Sequence, residues 1–360
     1  MRGWKRDFIA AITSWTEARL YVATAYIATW AILDRLEPPP DFSPIDDGLI
    51  PWDGTWYRDL AGLGYDSDGL EGGIRFFPLW PLLGRFFGVI GDRPDIALVI
   101  LANLLALIAG MLLYRITVQE TGDHNVARRT VRLFALFPPA FVLILGYSEA
   151  LYLSLALGFI LTARARRWGL TIILGYLAGL TRPVAALLAL PALVRTWETD
   201  RRSPLAWLSV VSAPLGTLTF LIWAERETGG WRTPIDAQQE LRGEITEPVS
   251  RLLRSLNDGL RGDEGELFHS LAALIFIGLA IVAVRRLSRD LWLYTVFSTL
   301  LLVGADNLNS MERYALSVFP LVIAAALVSQ NPRLDRWLPT ASAVALTVVT
   351  ILALNGVYVP

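Results

Sequence analysis

Long runs of residues without Asp, Glu, Lys or Arg constrain the fold of this chain more than any other sequence feature. Hydrophobic residues make up 54% of the 360 residues, more than the interior of a soluble protein of this size can bury. A helix needs about 20 apolar residues to cross about 30 Å of hydrocarbon. Eleven candidate stretches occur, at 20–33, 96–114, 133–148, 150–163, 168–181, 183–194, 203–224, 267–284, 291–305, 314–332 and 337–360. We therefore expect an all-α polytopic membrane protein with about 11 transmembrane helices.

The placement of arginine predicts the orientation of these spans. Basic residues gather in six clusters on alternate connections, and cytoplasmic loops carry an excess of Lys and Arg. The clusters are Arg2, Lys5 and Arg6; Arg115, Arg128, Arg129 and Arg132; Arg164, Arg166 and Arg167; Arg195, Arg201 and Arg202; Arg285, Arg286 and Arg289; Arg333 and Arg336. All six clusters and the N-terminus are then cytoplasmic. Only Lys5 among the 32 basic residues is a lysine, which favours a bacterial genome and hence a bacterial plasma membrane.

Two long acidic segments, 37–95 and 226–266, are expected outside the cytoplasm. Loops of this length are usually functional. We expect two modules, with residues 1–225 holding the first long loop and residues 226–360 holding the second. Residues 1–19 are expected to form an amphipathic helix on the inner membrane surface, before the first span.

The apolar segment 76–90 in the first long loop is interrupted by Pro78, Pro81 and Arg85. It is too broken to span the membrane, so it is expected to form interfacial helices at headgroup depth. A helix packed against the rest of the protein fits the same pattern.

Several classes of chemistry are excluded by composition. The chain has no cysteine and two histidines, His124 and His269, so thiol chemistry and a His-rich metal site are excluded. A net charge of −1 gives no overall field that attracts nucleic acid, so no nucleic-acid partner is expected. No phosphate-binding loop, dinucleotide fingerprint, nucleophile elbow or zinc-protease motif occurs. Carboxylates, arginines and aromatic residues remain as the candidates for chemistry.

Asp53 is the carboxylate whose surroundings most suggest a catalytic base. It lies between Trp52 and Gly54, shortly after the first span returns to the outer surface. A carboxylate flanked by aromatic residues can act as a base. A solvated loop aspartate is the alternative, because the same loop holds several other aspartates.

Three further charged residues interrupt apolar stretches at outer helix ends. Glu149 and Arg182 lie between stretches too short to cross the membrane fully, so both are expected below the lipid surface. An ionisable residue at that depth suggests function. Mutual neutralisation of the two charges is the alternative. Arg313, at the mouth of the tenth span, is suited to binding phosphate through its planar fork of donors. A helix-end arginine that reaches the membrane surface is the alternative.

Taken together, these segments resemble the PIG-V-type mannosyltransferases, which belong to the GT-C superfamily of polytopic glycosyltransferases. Five sequence blocks carry the resemblance, and the last is the weakest. They are W-D-x-x-W-Y-x-x-L-A-x-x-G-Y at Trp52 to Tyr65, F-F-P-L-W-P-L-L at Phe76 to Leu83, G-Y-S-E-A-L at Gly146 to Leu151, L-T-R-P-V-A around Arg182, and E-R-Y-A-L-S-V-F-P at Glu312 to Pro320. One departure is Trp56, where eukaryotic members usually have a histidine.

The resemblance implies a GT-C-like fold and an inverting transfer of mannose outside the cytoplasm. The implied donor is polyprenyl-phosphate-mannose, and the acceptor is a glycolipid, a lipoglycan or a protein. GT-C enzymes are similar in placing a functional aspartate in the first outer loop, which here corresponds to Asp53. No cofactor is required, although the acidic first loop is compatible with a divalent metal ion.

The remaining site residues follow from the needs of this chemistry. The leaving phosphate needs cationic donors, and sugar faces stack on aromatic rings. We assign Asp53 as the base. Phosphate binding is assigned to Arg182, Arg313 and Arg75, and substrate binding to Trp52, Trp56, Tyr57, Tyr147 and Glu149. Another GT-C transferase with a different sugar, or a lipid or sugar transporter or flippase, remains as an alternative function.

Overall fold

The computed structural model describes residues 2–33, 44–65, 71–89, 91–243 and 246–358. Within these ranges the chain forms sixteen α-helices and four short 3₁₀ helices, and no strand. The prediction of an all-α protein is therefore confirmed for the part of the chain that the structure describes.

The α-helices are numbered in chain order. They are α1 (Arg2–Leu33), α2 (Asp53–Leu63), α3 (Leu79–Gly88), α4 (Pro94–Thr121), α5 (His124–Ala135), α6 (Glu149–Arg164), α7 (Trp168–Gly179), α8 (Ala189–Thr199), α9 (Pro204–Thr228), α10 (Thr233–Arg242), α11 (Pro248–Leu260), α12 (Glu264–Arg286), α13 (Arg289–Val303), α14 (Met311–Ser317), α15 (Pro320–Val328) and α16 (Pro332–Leu354). The 3₁₀ helices are Pro44–Asp47, Glu71–Arg75, Pro138–Leu143 and Pro183–Leu188.

Four helices among the described residues, α4, α9, α12 and α16, are long and apolar enough to cross a membrane. Helices α14 and α15 meet at an angle of 91° and count as a fifth span if the bent pair is taken as one. These apolar helices are what a membrane protein requires. The expected number of about eleven spans and the orientation of the termini are not confirmed.

Proline residues and short helices explain much of the difference between the expected spans and the helices observed among the described residues. The apolar stretch 133–148 is divided because α5 ends at Ala135 and the 3₁₀ helix Pro138–Leu143 follows. A proline lacks the amide hydrogen that a continuing helix needs, so Pro138 ends the regular pattern. Stretch 150–163 lies in α6, whose 16 residues rise about 24 Å.

The N-terminal segment forms one continuous helix, α1, where a surface helix and a separate span were expected. The sequence between Trp4 and Leu33 contains no glycine or proline to end it. Arg19, where the expected boundary lay, donates to Asn103 Oδ1 at 3.0 Å and to Trp15 O at 3.1 Å. Helix α1 therefore continues past the charged Arg19 without a break.

The chain divides into two compact units. Unit 1 comprises Met1–Ser67, Trp80–Ser154 and Ala325–Pro360, and unit 2 comprises Asp68–Leu79 and Leu155–Ala324. In unit 1, α1 packs against α4, α5 and α16. In unit 2, α7 packs closely along α9, and α12 packs against α11 and α13. The division into modules at residue 225 stays a prediction.

Glycine allows the close approach of α7 and α9. A Cβ atom on Gly216 would lie 2.1 Å from the carbonyl oxygen of Tyr176, and one on Gly179 would lie 2.2 Å from that of Ala213. Small residues let helix backbones approach in this way in membrane proteins. The two glycines therefore fix the distance between α7 and α9.

A buried carboxylate joins three helices of unit 2. Asp290, at the start of α13, accepts from Arg164 Nε at 3.0 Å and from Arg195 Nε at 2.9 Å. Burial alone would raise the pKa of the Asp290 carboxyl, but the two arginines and the hydroxyl of Ser288 outweigh it and hold the pKa below its ordinary value. This cluster ties α6, α8 and α13 together.

Candidate functional site

Asp53 is the first residue of α2, in unit 1, and is partly exposed. Its carboxylate lies at a helix N-terminus, where the macrodipole favours negative charge. The preceding Trp52 has φ 56°, an uncommon conformation for a residue with a side chain. The indole of Trp52 donates to the carbonyl oxygen of Ala353 at 2.9 Å, and Thr55 Oγ1 donates to Trp52 O at 2.7 Å. These bonds hold the turn that presents Asp53.

Glu149, in unit 1, is likewise the first residue of its helix, α6, and it is only 1% exposed. Tyr57 lies one helical turn after Asp53, on the same face of α2. The hydroxyls of Tyr57 and Ser148 are 2.9 Å apart, within hydrogen-bond distance. The start of α6 is therefore held against the face of α2 that carries Asp53.

A third segment of unit 1 joins this contact. The indole of Trp80 in α3 donates to the carbonyl oxygen of Gly146 at 2.9 Å, and the amide of Gly146 donates to Leu49 O at 3.0 Å. A Cβ atom on Gly146 would lie 2.9 Å from the side chain of Ile50, so only glycine fits without a shift. Three sequence blocks that lie far apart in the chain thus meet around Gly146.

The aromatic candidates of unit 1 differ in exposure. Trp52 and Trp56 are half-buried, whereas Tyr57 and Tyr147 are buried. A half-buried indole offers a face for stacking, and a buried tyrosine contributes mainly its hydroxyl. The four residues therefore suit different parts of a ligand.

Charged neighbours further along the first loop form a local network. Arg58 Nε donates to Asp59 Oδ1 at 2.6 Å, which raises the pKa of the Arg58 guanidinium. Burial raises the pKa of the Asp47 carboxyl, although the charge of Arg58 acts in the opposite direction. Asp47 therefore holds its proton to a higher pH than a solvated aspartate.

In unit 2, two of the predicted arginines meet on one aromatic ring. The guanidinium of Arg182 lies 5.1 Å from the ring centre of Tyr314, and that of Arg313 lies 4.7 Å from it. Arg313 Nη2 also donates to the Tyr314 hydroxyl at 2.8 Å. Arg182 is 9% exposed and Arg313 is 3% exposed. Two largely desolvated cations are thus held about 5 Å from a single ring.

Arg75, the third predicted arginine, ends the 3₁₀ helix Glu71–Arg75 of unit 2. Its Nη1 donates to Gly72 O at 3.1 Å, and its guanidinium lies 4.7 Å from the ring centre of Phe76. The amide of Leu79 donates to Leu180 O at 3.0 Å. This bond holds the segment that follows Arg75 beside the chain just before Arg182.

A buried pair that the sequence did not single out adjoins Arg313. His269 Nδ1 in α12 lies 2.8 Å from Glu312 Oε1 in α14, and both side chains are buried. These residues are 43 positions apart and carry no recognisable spacing. Tyr314, which contacts both arginines, was likewise not assigned a role, although it lies in the fifth sequence block.

No group of three or more His, Asp or Glu side chains suited to hold a metal ion occurs among the residues the structure describes. The carboxylates of unit 1 that are described, such as Asp53 and Glu149, therefore do not form such a cluster.

Comparison with known proteins gives distant structural similarity alone. No family model matches the chain, and no curated protein matches it. The chain is similar to the crystal structure of the Archaeoglobus fulgidus oligosaccharyltransferase in complex with zinc and sulfate, at 15% sequence identity and a TM-score of 0.41. The similarity covers 79% of this chain and 44% of the archaeal protein, so the chain spans less than half of that protein's length. A similarity at this level assigns neither a family nor an activity.

Proposed function

We propose that this chain is a membrane glycosyltransferase that transfers mannose from polyprenyl-phosphate-mannose to a glycolipid, lipoglycan or protein acceptor. The transfer occurs outside the cytoplasm with inversion at the anomeric carbon. The sequence resemblance to PIG-V-type mannosyltransferases supports the sugar and the donor. The presence of several apolar helices supports the membrane location.

The observation that carries the proposal is the pair of buried arginines on Tyr314. Arg182 and Arg313 supply planar forks of donors that match phosphate oxygens. A lipid phosphate is the anion that a membrane-embedded pair of this kind would bind.

Asp53 serves as the general base. Its carboxylate takes the proton of the acceptor hydroxyl while the acceptor oxygen forms a bond to the anomeric carbon of mannose. The bond from that carbon to the phosphate oxygen breaks, and its electron pair stays with the leaving polyprenyl phosphate. Attack from the face opposite the leaving group inverts the configuration. Arg182 and Arg313 stabilise the negative charge on the phosphate, and Arg75 is a further candidate for it.

The other predicted residues bind the sugar and the acceptor. The half-buried indoles of Trp52 and Trp56 stack on sugar faces, and the hydroxyls of Tyr57 and Tyr147 bind sugar hydroxyls. Glu149 accepts a hydrogen bond from a sugar hydroxyl. Because lipid phosphate is already a good leaving group, this scheme needs no metal ion.

Incubation of the purified full-length protein with radiolabelled polyprenyl-phosphate sugars and membrane lipids tests the proposal. Mannosyl, glucosyl and arabinosyl donors are compared, and the labelled product is identified. Transfer of label from the mannosyl donor supports the proposal. Transfer from another sugar assigns a different GT-C-type activity, and movement of intact lipid across vesicles without product assigns a flippase.

A further inference from the structure

A polar cavity of about 340 Å³ lies in unit 2. It is lined by Arg251, Asp263, Glu266, Asp306, Asn307 and Asn309, together with Gly265. Apart from the glycine, each of these lining residues has a side chain that donates or accepts hydrogen bonds. The volume is at the lower end of the range for ligand pockets and corresponds to roughly ten water molecules. A single polar ring is the size of ligand that fits.

The Arg251–Glu266 side of the lining is held by several hydrogen bonds. Arg251 is 7% exposed, and its guanidinium pairs with the Glu266 carboxylate at 3.0 Å and 3.2 Å. Arg251 Nε also donates to the carbonyl oxygen of Asp306, and Ser255 donates to Glu266 Oε2. Side chains fixed in this way lose little conformational entropy when a ligand binds. The cavity is therefore preorganised.

The balance of charge identifies the class of ligand. Arg251 pairs with Glu266, Arg254 lies 3.8 Å from Asp306, and Asp263 accepts from the amide of Glu266 at the start of α12. Glu266 and Asp306 thus each lie beside an arginine, Asp263 caps the start of α12, and three carboxylates against one lining arginine disfavour an anion. A sugar hydroxyl both donates and accepts, so it matches a lining that mixes carboxylates with guanidinium and amide groups.

We infer that this cavity binds one neutral hexose unit. It is linked to the candidate phosphate site within unit 2 through His269, whose side chain forms hydrogen bonds with those of Asn309 and Glu312, the neighbour of Arg313. Its use as the subsite for the acceptor sugar rests on the proposed function. The binding of the sugar itself does not.

Binding of methyl α-glucopyranoside, methyl α-mannopyranoside and methyl α-galactopyranoside to the full-length protein in detergent tests this inference. Isothermal titration gives the affinity, in the absence of any donor lipid. At least one hexoside is expected to bind the unmodified protein. Asp306→Ala is expected to weaken that binding by about tenfold or more, the effect of losing one hydrogen bond to a charged group. The Asp306 carbonyl oxygen, which Arg251 uses, is retained in this variant.

Asp236→Ala is the matched control. Asp236 is also an exposed aspartate of unit 2 paired with an arginine, Arg232 at 3.4 Å, but it does not line the cavity. This variant should bind the hexoside as the unmodified protein does. Gly265→Leu places a side chain into the cavity and should abolish binding while the protein remains folded.

Absence of hexoside binding to the unmodified protein overturns the inference. Unchanged affinity in both Asp306→Ala and Gly265→Leu overturns it as well, and so does tighter binding of inorganic phosphate or glucosamine than of every hexoside. Because no donor lipid is present, these outcomes are independent of the transfer assay. A protein that transfers mannose but binds no hexoside loses only the subsite, and one that binds a hexoside but transfers nothing loses only the proposed reaction.

Discussion

Replacing Tyr314 tests whether Arg182 and Arg313 act as a phosphate site. Tyr314→Phe keeps the ring beneath both guanidinium groups and removes the hydroxyl that accepts from Arg313 at 2.8 Å. A hydrogen bond to a charged group contributes about 1.5–3 kcal/mol. Since 1.4 kcal/mol corresponds to a factor of ten, we expect kcat/KM for the lipid donor to fall by about 10- to 100-fold.

Tyr314→Leu removes the ring as well. Each cation–π contact contributes roughly 0.5–2 kcal/mol, and two of them are lost here. We therefore expect a further decrease of about tenfold or more beyond that of Tyr314→Phe. If the ring positions the two arginines, kcat/KM should be higher in Tyr314→Phe than in Tyr314→Leu. This order of the two variants is the diagnostic result.

The assay measures kcat and KM for polyprenyl-phosphate-mannose, with thermal unfolding recorded in parallel. Tyr176→Phe is the matched control, since Tyr176 is also half-buried in unit 2 and its hydroxyl donates to the neutral Thr219 at 3.1 Å. This control should keep the donor kinetics of the unmodified protein. If Tyr314→Leu keeps the unmodified kcat and KM, the reasoning that places donor phosphate at these arginines is refuted.

Three further outcomes are expected. Arg182→Lys should lower transfer at least tenfold in the same assay, because one ammonium cannot reproduce the planar fork of donors. Asp290→Asn should lower the free energy of unfolding by about 3–5 kcal/mol, because it leaves the buried Arg164 without its counterion. In the unmodified protein this contribution is present at neutral pH and is lost as the pH falls through the lowered pKa of Asp290. Denaturant titrations of the variant should lack that acid dependence. Gly216→Ala should lower the free energy of unfolding by about 1–3 kcal/mol or more, because the added methyl group clashes with α7. The methyl group added by the control Gly278→Ala meets open space, so this variant should not lower the melting temperature.

The sequence predicted the helical class and several local features correctly. Runs without charge predicted apolar helices, and α4, α9, α12 and α16 each cover most or all of one such run. Asp53 and Glu149, which lie in two of the sequence blocks, are the first residues of helices α2 and α6. Both features depend on neighbouring residues alone, so they are visible in the sequence.

Features that depend on tertiary contacts were not predictable in the same way. The continuity of α1 through Arg19 depends on Asn103, which lies 84 positions away. The side chain of Asn103 accepts a hydrogen bond from the Arg19 guanidinium. The pairing of His269 with Glu312 likewise joins two helices that no motif connects. Tyr314 was visible within a sequence block, but its contact with Arg182 follows only from the fold of unit 2.

The most direct test of the proposed function is the rate of mannose transfer by Asp53→Asn. Asparagine keeps the size of the side chain but cannot take a proton, and a general base contributes about 10²- to 10⁴-fold to a rate. We expect a loss of that order from polyprenyl-phosphate-mannose, with the melting temperature unchanged. The matched variant Asp59→Asn, on the same helix, should retain transfer. Turnover of the lipid donor by Asp53→Asn at the rate of the unmodified protein would contradict the assignment of Asp53 as the base.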